Sequence, residues 1–449
     1  MPRILRDTLV SVRELALTFG PFALIGLVLL VAAYFVLDPA PPHRVILATG
    51  PERSAYAEFG KRYAEELKRF GIQVELKPTG GARENLRALR DPKEKVDLAF
   101  VQGGASERLT RSEQDKKDEP VELISLGSLF YEPVWVFYRA EVAKKLNRDA
   151  VLPGLHALEG WRVNVGGRGS GAPGLVTRLL AANQVERDEI KRSNLGETEA
   201  VMGLLDAQLD AIVLVSAPES PMVQMLLQTP GIRLFEFAQA EAYSRRYPYI
   251  SPVELPRGVV DFAKDVPPRD VQLVAPTTSL VAREGTHPAL IQLFVQAAAR
   301  IHSMPGWIAR AGQFPTAARS VLPLAKEADR YYRNGPPLLQ RYLPFWLANL
   351  IDRMWVALFS IVAVLIPVSR MVPPLYRFRI RSRVFRWYRQ LRGIEDRLED
   401  GEATPQELLA ELEKLDAKAS KIAVPLSYAE ELYSLRSHIN LVRDRLKAR

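Results

Sequence analysis

The 449-residue sequence predicts an α/β protein of two lobes, set between two apolar segments of membrane length and followed by a helical tail. Three observations carry that expectation. Residues 18–37 and 354–369 are uncharged and mainly apolar. Between them, short β-rich runs alternate with stretches whose apolar residues recur at helical spacing. Beyond residue 370, apolar positions recur in steps of three and four on three successive segments, the seam of packed helices.

Composition narrows the function classes. At 47% hydrophobic and 25% charged, the chain is globular and not disordered. It has no Cys, which removes disulfides, thiolate metal sites and cysteine nucleophiles. The five His (43, 156, 287, 302 and 438) show no metal-ligand spacing, so no metal is expected. A net charge of +9 raises nucleic acid, a membrane surface or acidic ligands as partners. Eight of the 61 basic residues are Arg at positions 370–392, a stretch without Asp or Glu, and the remaining 53 face 52 acidic residues. The excess therefore lies beside the second apolar segment. There it reads as a positive-inside signal and, from Arg370 to Arg392, as a contact for anionic lipid. Nucleic acid drops out as an expected partner.

Taken in order, residues 1–17 form a cytoplasmic N-terminus carrying Arg3, Arg6 and Arg13. Residues 18–37 give about 30 Å of helix at 1.5 Å per residue, enough to span the hydrocarbon core. No small-x-small site precedes Asp38-Pro39, so an uncleaved anchor is expected. Residues 39–342 form an external domain. RVILAT (44–49) reads as a buried strand, residues 50–71 as a helix closed by Gly71, and IQVELKPT (72–79) as a second strand. GGARENLRALRDP (80–92) is a short helix, and VDLAFVQGG (96–104) a third strand. This alternation implies a parallel, doubly wound sheet with ligands at its strand ends, Thr49-Gly50, Thr79-Gly80-Gly81 and Gln102-Gly103-Gly104. LISLGSLFYEPVWVFYR (123–139) predicts one long strand, or a pair, leading into a second α/β unit. Lobe 1 then covers about 43–135 and 235–342, and lobe 2 about 136–234. Residues 343–369 form the second span. Residues 370–449 form a cytoplasmic basic collar and an antiparallel helical bundle, with capping boxes at Thr404-Pro405-Gln406-Glu407 and Ser427-Tyr428-Ala429-Glu430.

Gly169-Ser170-Gly171-Ala172-Pro173-Gly174 matches G-x-G-x-x-G between an expected strand and an expected helix. A dinucleotide cradle also needs an acidic residue at the end of the next strand. Lys191-Arg192-Ser193-Asn194 does not read as a buried strand and supplies none, so no cofactor is expected. Anion chemistry remains: backbone N–H groups converge at a helix start, where Arg168 and Ser170 add charge-assisted hydrogen bonds. No paired carboxylates or nucleophile–base pattern stands out, and Arg168 breaks a G-x-S-x-G frame, so an enzyme is not expected.

Six stretches carry a family resemblance: Ala48-Thr49-Gly50, TGGARENLRAL (79–89), VDLAFVQGG (96–104), GRGSG (167–171), PPLLQRYLPFWLANLIDR (336–353) and LYRFRIRSRVFRWY (375–388). Through them the chain resembles a membrane-anchored member of the TAXI group, the TRAP-associated extracytoplasmic solute-binding proteins. The resemblance implies a two-lobed, type II periplasmic-binding-protein-like domain with a ligand closed between the lobes. It places Ser54 and Tyr56 on the first ligand loop, Asn85 on the second, Gln102 on the third and Tyr131 at the crossover. Gly169, Ser170 and Gly171 meet the ligand from the other lobe, beside Arg168. Ala82 and Ala172 stand where the group often has Ser and Thr, so two hydroxyl contacts are missing. The expected protein spans the bacterial inner membrane twice, with both termini cytoplasmic and the binding domain in the periplasm. It captures a small anionic solute, a carboxylate, for a TRAP-type permease subunit. The alternative is a sensor or assembly factor that reports ligand state through the membrane helices to the tail.

Overall fold

A computed structural model of the chain describes residues 20, 22–38, 40–105, 121–186, 188–320, 322–419 and 429–447. The chain divides into two compact units, Ala40–Ala348 and the combination of Met1–Pro39 with Asn349–Arg449. Lobe 1 of the first unit opens with β1 (Arg44–Ala48), α1 (Ala55–Lys68), β2 (Gln73–Lys77), α2 (Ala82–Arg90), β3 (Leu98–Gln102) and β4 (Leu123–Tyr131). Lobe 2 contributes β5 (Val134–Arg139), β6 (Arg162–Asn164), α3 (Ala172–Ala182), β7 (Lys191–Ser193) and α4 (Glu197–Leu205). It ends with β8 (Ala211–Val215), α5 (Pro221–Leu227) and β9 (Ile232–Leu234). The chain returns to lobe 1 through α6 (Ala240–Arg246), β10 (Ile250–Leu255), β11 (Val271–Arg283), α7 (Pro288–His302) and α8 (Lys326–Asn334).

The first sheet has the order β10-β11-β3-β1-β2, with β4 also paired to β11; the second has the order β7-β6-β8-β5-β9. β1 is parallel to β2 and β3, and β6 is parallel to β7 and β8, as the alternation of strands and helices predicts. Both sheets are nevertheless mixed, not wholly parallel. β11 is antiparallel to β3, β4 and β10, and β5 is antiparallel to β8 and β9. Parallel neighbours require a long helical crossover, which links the βα units but not the strands that carry the chain between lobes. β5 and β11 enter their sheets from the cleft side, opposite in direction to the βα strands.

The apolar run 123–139 is a pair of strands in different sheets, divided at Glu132-Pro133, where proline lacks a ladder donor. Lys191–Ser193 is, as read, not a buried strand: it is an edge strand with Lys191 exposed, and an edge accepts such polar residues. α1 begins where the Ser54 side chain accepts a hydrogen bond from the Ala57 N–H, and Gly71 follows its end at φ 75°. Its inner face brings Tyr56 and Tyr63 onto Phe100, at ring separations of 5.2 and 5.9 Å, and Tyr63 onto Phe294 of α7 at 5.7 Å.

The second unit contains the helix Phe22–Leu37 and three further helices, α9 (Phe345–Glu399), α10 (Pro405–Ala419) and α11 (Ala429–Lys447). Within α9, the 24 residues Phe345–Val368 have a mean hydropathy of 1.9, long and apolar enough to cross a membrane, and almost none of that stretch is buried. Phe22–Leu37 is apolar but shorter, and residues 18, 19 and 21 of the expected first span lie outside the described residues. A Cβ on Gly26 would lie 3.5 Å from Leu365 Cδ1, so this helix passes α9 at a small residue. The expected seams meet in one buried cluster: Leu391 and Ile394 of α9, Leu408, Leu412 and Leu415 of α10, Leu435, Ile439 and Val442 of α11. At the start of α10, Glu407 accepts a hydrogen bond from the Thr404 N–H at 3.1 Å, one arm of the capping box. Ser427 and Ile422 fall outside the described residues, as do the side chains of Arg377, Arg379, Arg381 and Arg383.

Phe100 is fully buried between α1 and the first sheet. Phe100→Ala is expected to cost about 3–5 kcal/mol, read as a lower thermal midpoint of the detergent-solubilised chain.

Candidate functional site

The loops that follow β1, β2 and β3 face those that follow β6, β7 and β8, the carboxyl-end arrangement in which open α/β sheets hold ligands. Between them lies a cavity of about 450 Å³. Lobe 1 lines it with Pro51, Ser54, Tyr56, residues 80–82 and Gln102, the crossover with Glu132. Lobe 2 adds Asn164, residues 166–172, residues 194–197 and residues 213–216.

Seven of the nine expected site residues line this cavity: Ser54, Tyr56, Gln102, Arg168, Gly169, Ser170 and Gly171. Two do not. Asn85 is fully buried beneath the loops. Its Nδ2 donates to the Thr49 carbonyl at 2.6 Å and the Phe100 carbonyl at 2.9 Å, and its Oδ1 accepts from the Thr79 hydroxyl at 2.7 Å. It ties three strand ends together and has no capacity aimed at a ligand. Tyr131 lies outside the cavity, where its hydroxyl accepts from Arg319 at 2.7 Å and Gln313 at 3.0 Å. Successive residues of extended chain point to opposite faces, so the cleft receives its neighbour Glu132 instead.

The lobes meet backbone to backbone. A Cβ on Gly169 would lie 2.7 Å from Gly80 Cα, and one on Gly171 would overlap Gln102 Oε1. A side chain at Gly169 would push the lobes apart, and one at Gly171 would displace the Gln102 side chain. The Glu84 N–H, in the first turn of α2, donates to the Gly169 carbonyl at 3.2 Å. A second clasp comes from α3, where Arg178 donates to the Gly104 carbonyl at 2.7 Å and stacks 5.1 Å above the Tyr249 ring. Ser170 turns its hydroxyl back to the Gly167 carbonyl at 2.7 Å, which shapes the loop. Asn164 fixes the adjoining loop, its Oδ1 accepting from the Leu195 N–H at 2.8 Å and the Ser193 hydroxyl at 3.1 Å.

Glu132 and Glu197 are the functional candidates that sequence reasoning missed. Glu132 is buried and accepts the Tyr56 hydroxyl at 3.0 Å; Thr278 bonds the same Tyr56 oxygen at 3.1 Å. Burial pushes its carboxyl up to about 7, against hydrogen bonds from Thr278, Tyr56 and Gln102 that hold it down. Burial, then the neighbouring Glu132 charge, raises the Tyr56 hydroxyl well above the usual tyrosine value. Glu197 opens α4, is raised by burial and is pulled back by the Ser220 hydroxyl at 3.4 Å. One signal for Glu132 was available: it is the single carboxylate in the apolar run 123–139.

Gly169→Ala is expected to separate the loops, seen as faster hydrogen exchange at the Glu84 amide and left unchanged only if the Gly80 contact is not made. Glu132 sets a pH dependence. Its folded carboxyl keeps the proton from the ordinary value of 4.5 up to about 7, so the folded state binds more protons in that window. Stability is then full below the window and falls as pH rises through it, by about 3 kcal/mol for a 2.5-unit shift. Glu132→Gln should flatten that part of the stability–pH curve; an unaltered slope would remove Glu132 as its source.

A model of the NMT1-like family matches residues 47–335, which take in both sheets and the cleft. No curated protein matches the sequence. Among solved structures, the alkanesulfonate-binding protein SsuA from Xanthomonas axonopodis pv. citri, bound to MOPS, is 14% identical. That match covers 58% of this chain and 73% of that one, with a TM-score of 0.37. The periplasmic aliphatic sulphonate binding protein SsuA from Escherichia coli is 13% identical over 72% of this chain and 83% of that one, at a TM-score of 0.34. Lipoprotein Tp32 from Treponema pallidum is 13% identical over 57% and 90%, at 0.33. Likeness at this level says nothing of the ligand. The family model spans more than half of the chain, and the protein belongs to the NMT1-like family.

Proposed function

We propose that the chain is a membrane-anchored, extracytoplasmic solute-binding protein that closes its lobes around a small solute and passes it to a transporter. The cavity between two sheets, lined from both lobes and from the crossover, is the observation that carries this reading. Chain crosses between the lobes at 131–134 and again within β11, whose residues 271–275 pack in the lobe 2 core and whose residues 278–282 pair with β3, few enough strands to act as a hinge. With the lobes closed, the Gly80–Gly169 contact seals the cavity over the bound solute, and a cavity of this volume suits a small molecule. Among the described residues, no group of three or more His, Asp or Glu is placed to hold a metal ion.

The apolar part of α9 and the Arg residues after it support anchoring in a bacterial inner membrane, with the lobes in the periplasm, both termini cytoplasmic and anionic lipid at the collar. Resemblance to the TAXI group makes a TRAP-type permease the partner. Backbone N–H groups at the start of α3, with Arg168 exposed at the cavity edge, suit an acidic group on the solute such as a carboxylate. A sensor reading is favoured by one observation, that α9 runs unbroken from its apolar stretch into the helices of the tail. Crosslinks across residues 380–398 that change with ligand would favour it over transport.

The full chain in detergent is expected to gain thermal stability with at least one member of a broad panel of small carboxylates, amines, sulfonates and polyols. At a hundredfold excess over Kd the gain is roughly 2.7 kcal/mol. Gly171→Val, which collides with Gln102, should abolish the response. A panel without effect on the parent chain counts against capture itself.

A further inference from the structure

The cavity's ionisable lining is unbalanced. Glu132 is held in the crossover between the two sheets, 3% exposed, with the Tyr56 hydroxyl on one carboxylate oxygen. Glu197 approaches the same cavity from the start of α4. Arg168 is the one cation among the described residues that line it, and Arg168 is exposed. Two carboxylates thus line the cleft with neutral hydrogen-bond donors, and among the described residues neither has an ion-pair partner. A buried carboxylate is costly unless it is paired, and neutral donors meet only part of its hydrogen-bonding capacity of about four lone-pair sites. A solute that put its negative charge there would meet like charge.

Resting on the solute-capture reading, we infer that the cleft selects a solute bearing a positively charged nitrogen, a primary ammonium or a guanidinium, which Glu132 and Glu197 hold by charge-assisted hydrogen bonds. Such a group offers several N–H donors at once, the complement of two carboxylates. It also relieves the burial that pushes both carboxyls upward, since a neighbouring cation favours the charged form. Any acidic group on the same solute has its own place, at the loop of residues 168–171 and the start of α3. The solute's two charges are then read by separate groups, the cation by Glu132 and Glu197 and the acidic group by the loop. Glu132 lies where the chain leaves one sheet for the other, so a cation on it binds both lobes to their shared crossover.

The experiment is calorimetric titration of the full detergent-solubilised chain at about pH 8, above the value of about 7 to which burial lifts Glu132. The probes are putrescine, agmatine and benzamidine as cations, acetate, succinate and benzoate as anions, and glycerol as the neutral control. At least one cation is expected to bind, and Glu132→Gln and Glu197→Gln are each expected to weaken it about tenfold or more. Gln keeps an acceptor for the Tyr56 hydroxyl, so Glu132→Gln retains the local shape; if it still fails to fold, Glu197→Gln decides the matter. Binding by anions or glycerol alone overturns the inference while leaving solute capture standing. Cation binding that survives both substitutions overturns it too. Heat from none of the seven probes also overturns it, and silence extending to the broad thermal-shift panel overturns the capture reading as well.

Discussion

The lobes can close because each presents bare backbone where the other arrives. Gly80 and Gly169 approach until a single Cβ on either would overlap the other, and the Gly169 carbonyl is then taken by the Glu84 N–H of α2. Nearly everything around the site serves this approach. Asn85 braces the lobe 1 loops from beneath with three hydrogen bonds. Asn164 and Ser170 brace the lobe 2 loops from their own side. Gly81, at φ 123°, turns the chain into α2 in a conformation that L side chains rarely adopt. The polar residues nearest the contact therefore hold loops in shape, and few are left to meet a ligand.

Those few are acidic, and their placement has a structural cause. Glu132 occupies a two-residue gap between strands of different sheets, where neither ladder uses its side chain and its N–H is held by the Pro276 carbonyl of β11 at 2.9 Å. Such a position is rigid, central and buried. A carboxylate there costs stability unless the site gives something in return, and proteins keep such groups chiefly where they bind or react. The same argument is weaker for Glu197, which gains from the dipole at the start of α4 regardless of any ligand.

Much of this fold was legible because period and punctuation are local properties. The β1–α1–β2–α2–β3 run follows from alternation and from glycines at strand ends, and the seam at Leu408, Leu412 and Leu415 from helical spacing alone. What was not legible depends on neighbours distant in sequence. Lys191–Ser193 looks polar because it pairs on one side only. Whether 123–139 was one strand or two turned on which sheet each half would join. The site shows the same limit at finer scale. Tyr131 and Glu132 are adjacent, and the resemblance pointed to the crossover, but only the strand's facing decides which of the two meets the cleft. Asn85 was placed on a ligand loop by the resemblance, yet a buried amide that satisfies three partners is spent on architecture.

The charge of the chain gives the same lesson about scale. Its net +9 points towards acidic partners, and the glycine-rich loop with Arg168 points the same way. Yet eight Arg between 370 and 392 account for nearly all of that excess, in a different compact unit from the cleft. Ligand-scale electrostatics are set within a few ångströms, where low dielectric magnifies each group and solvent screens the rest of the molecule. At that range Glu132 and Glu197 outweigh one exposed arginine. A basic protein can therefore carry an acidic binding site, and the sign of its ligand has to be read from the cavity wall.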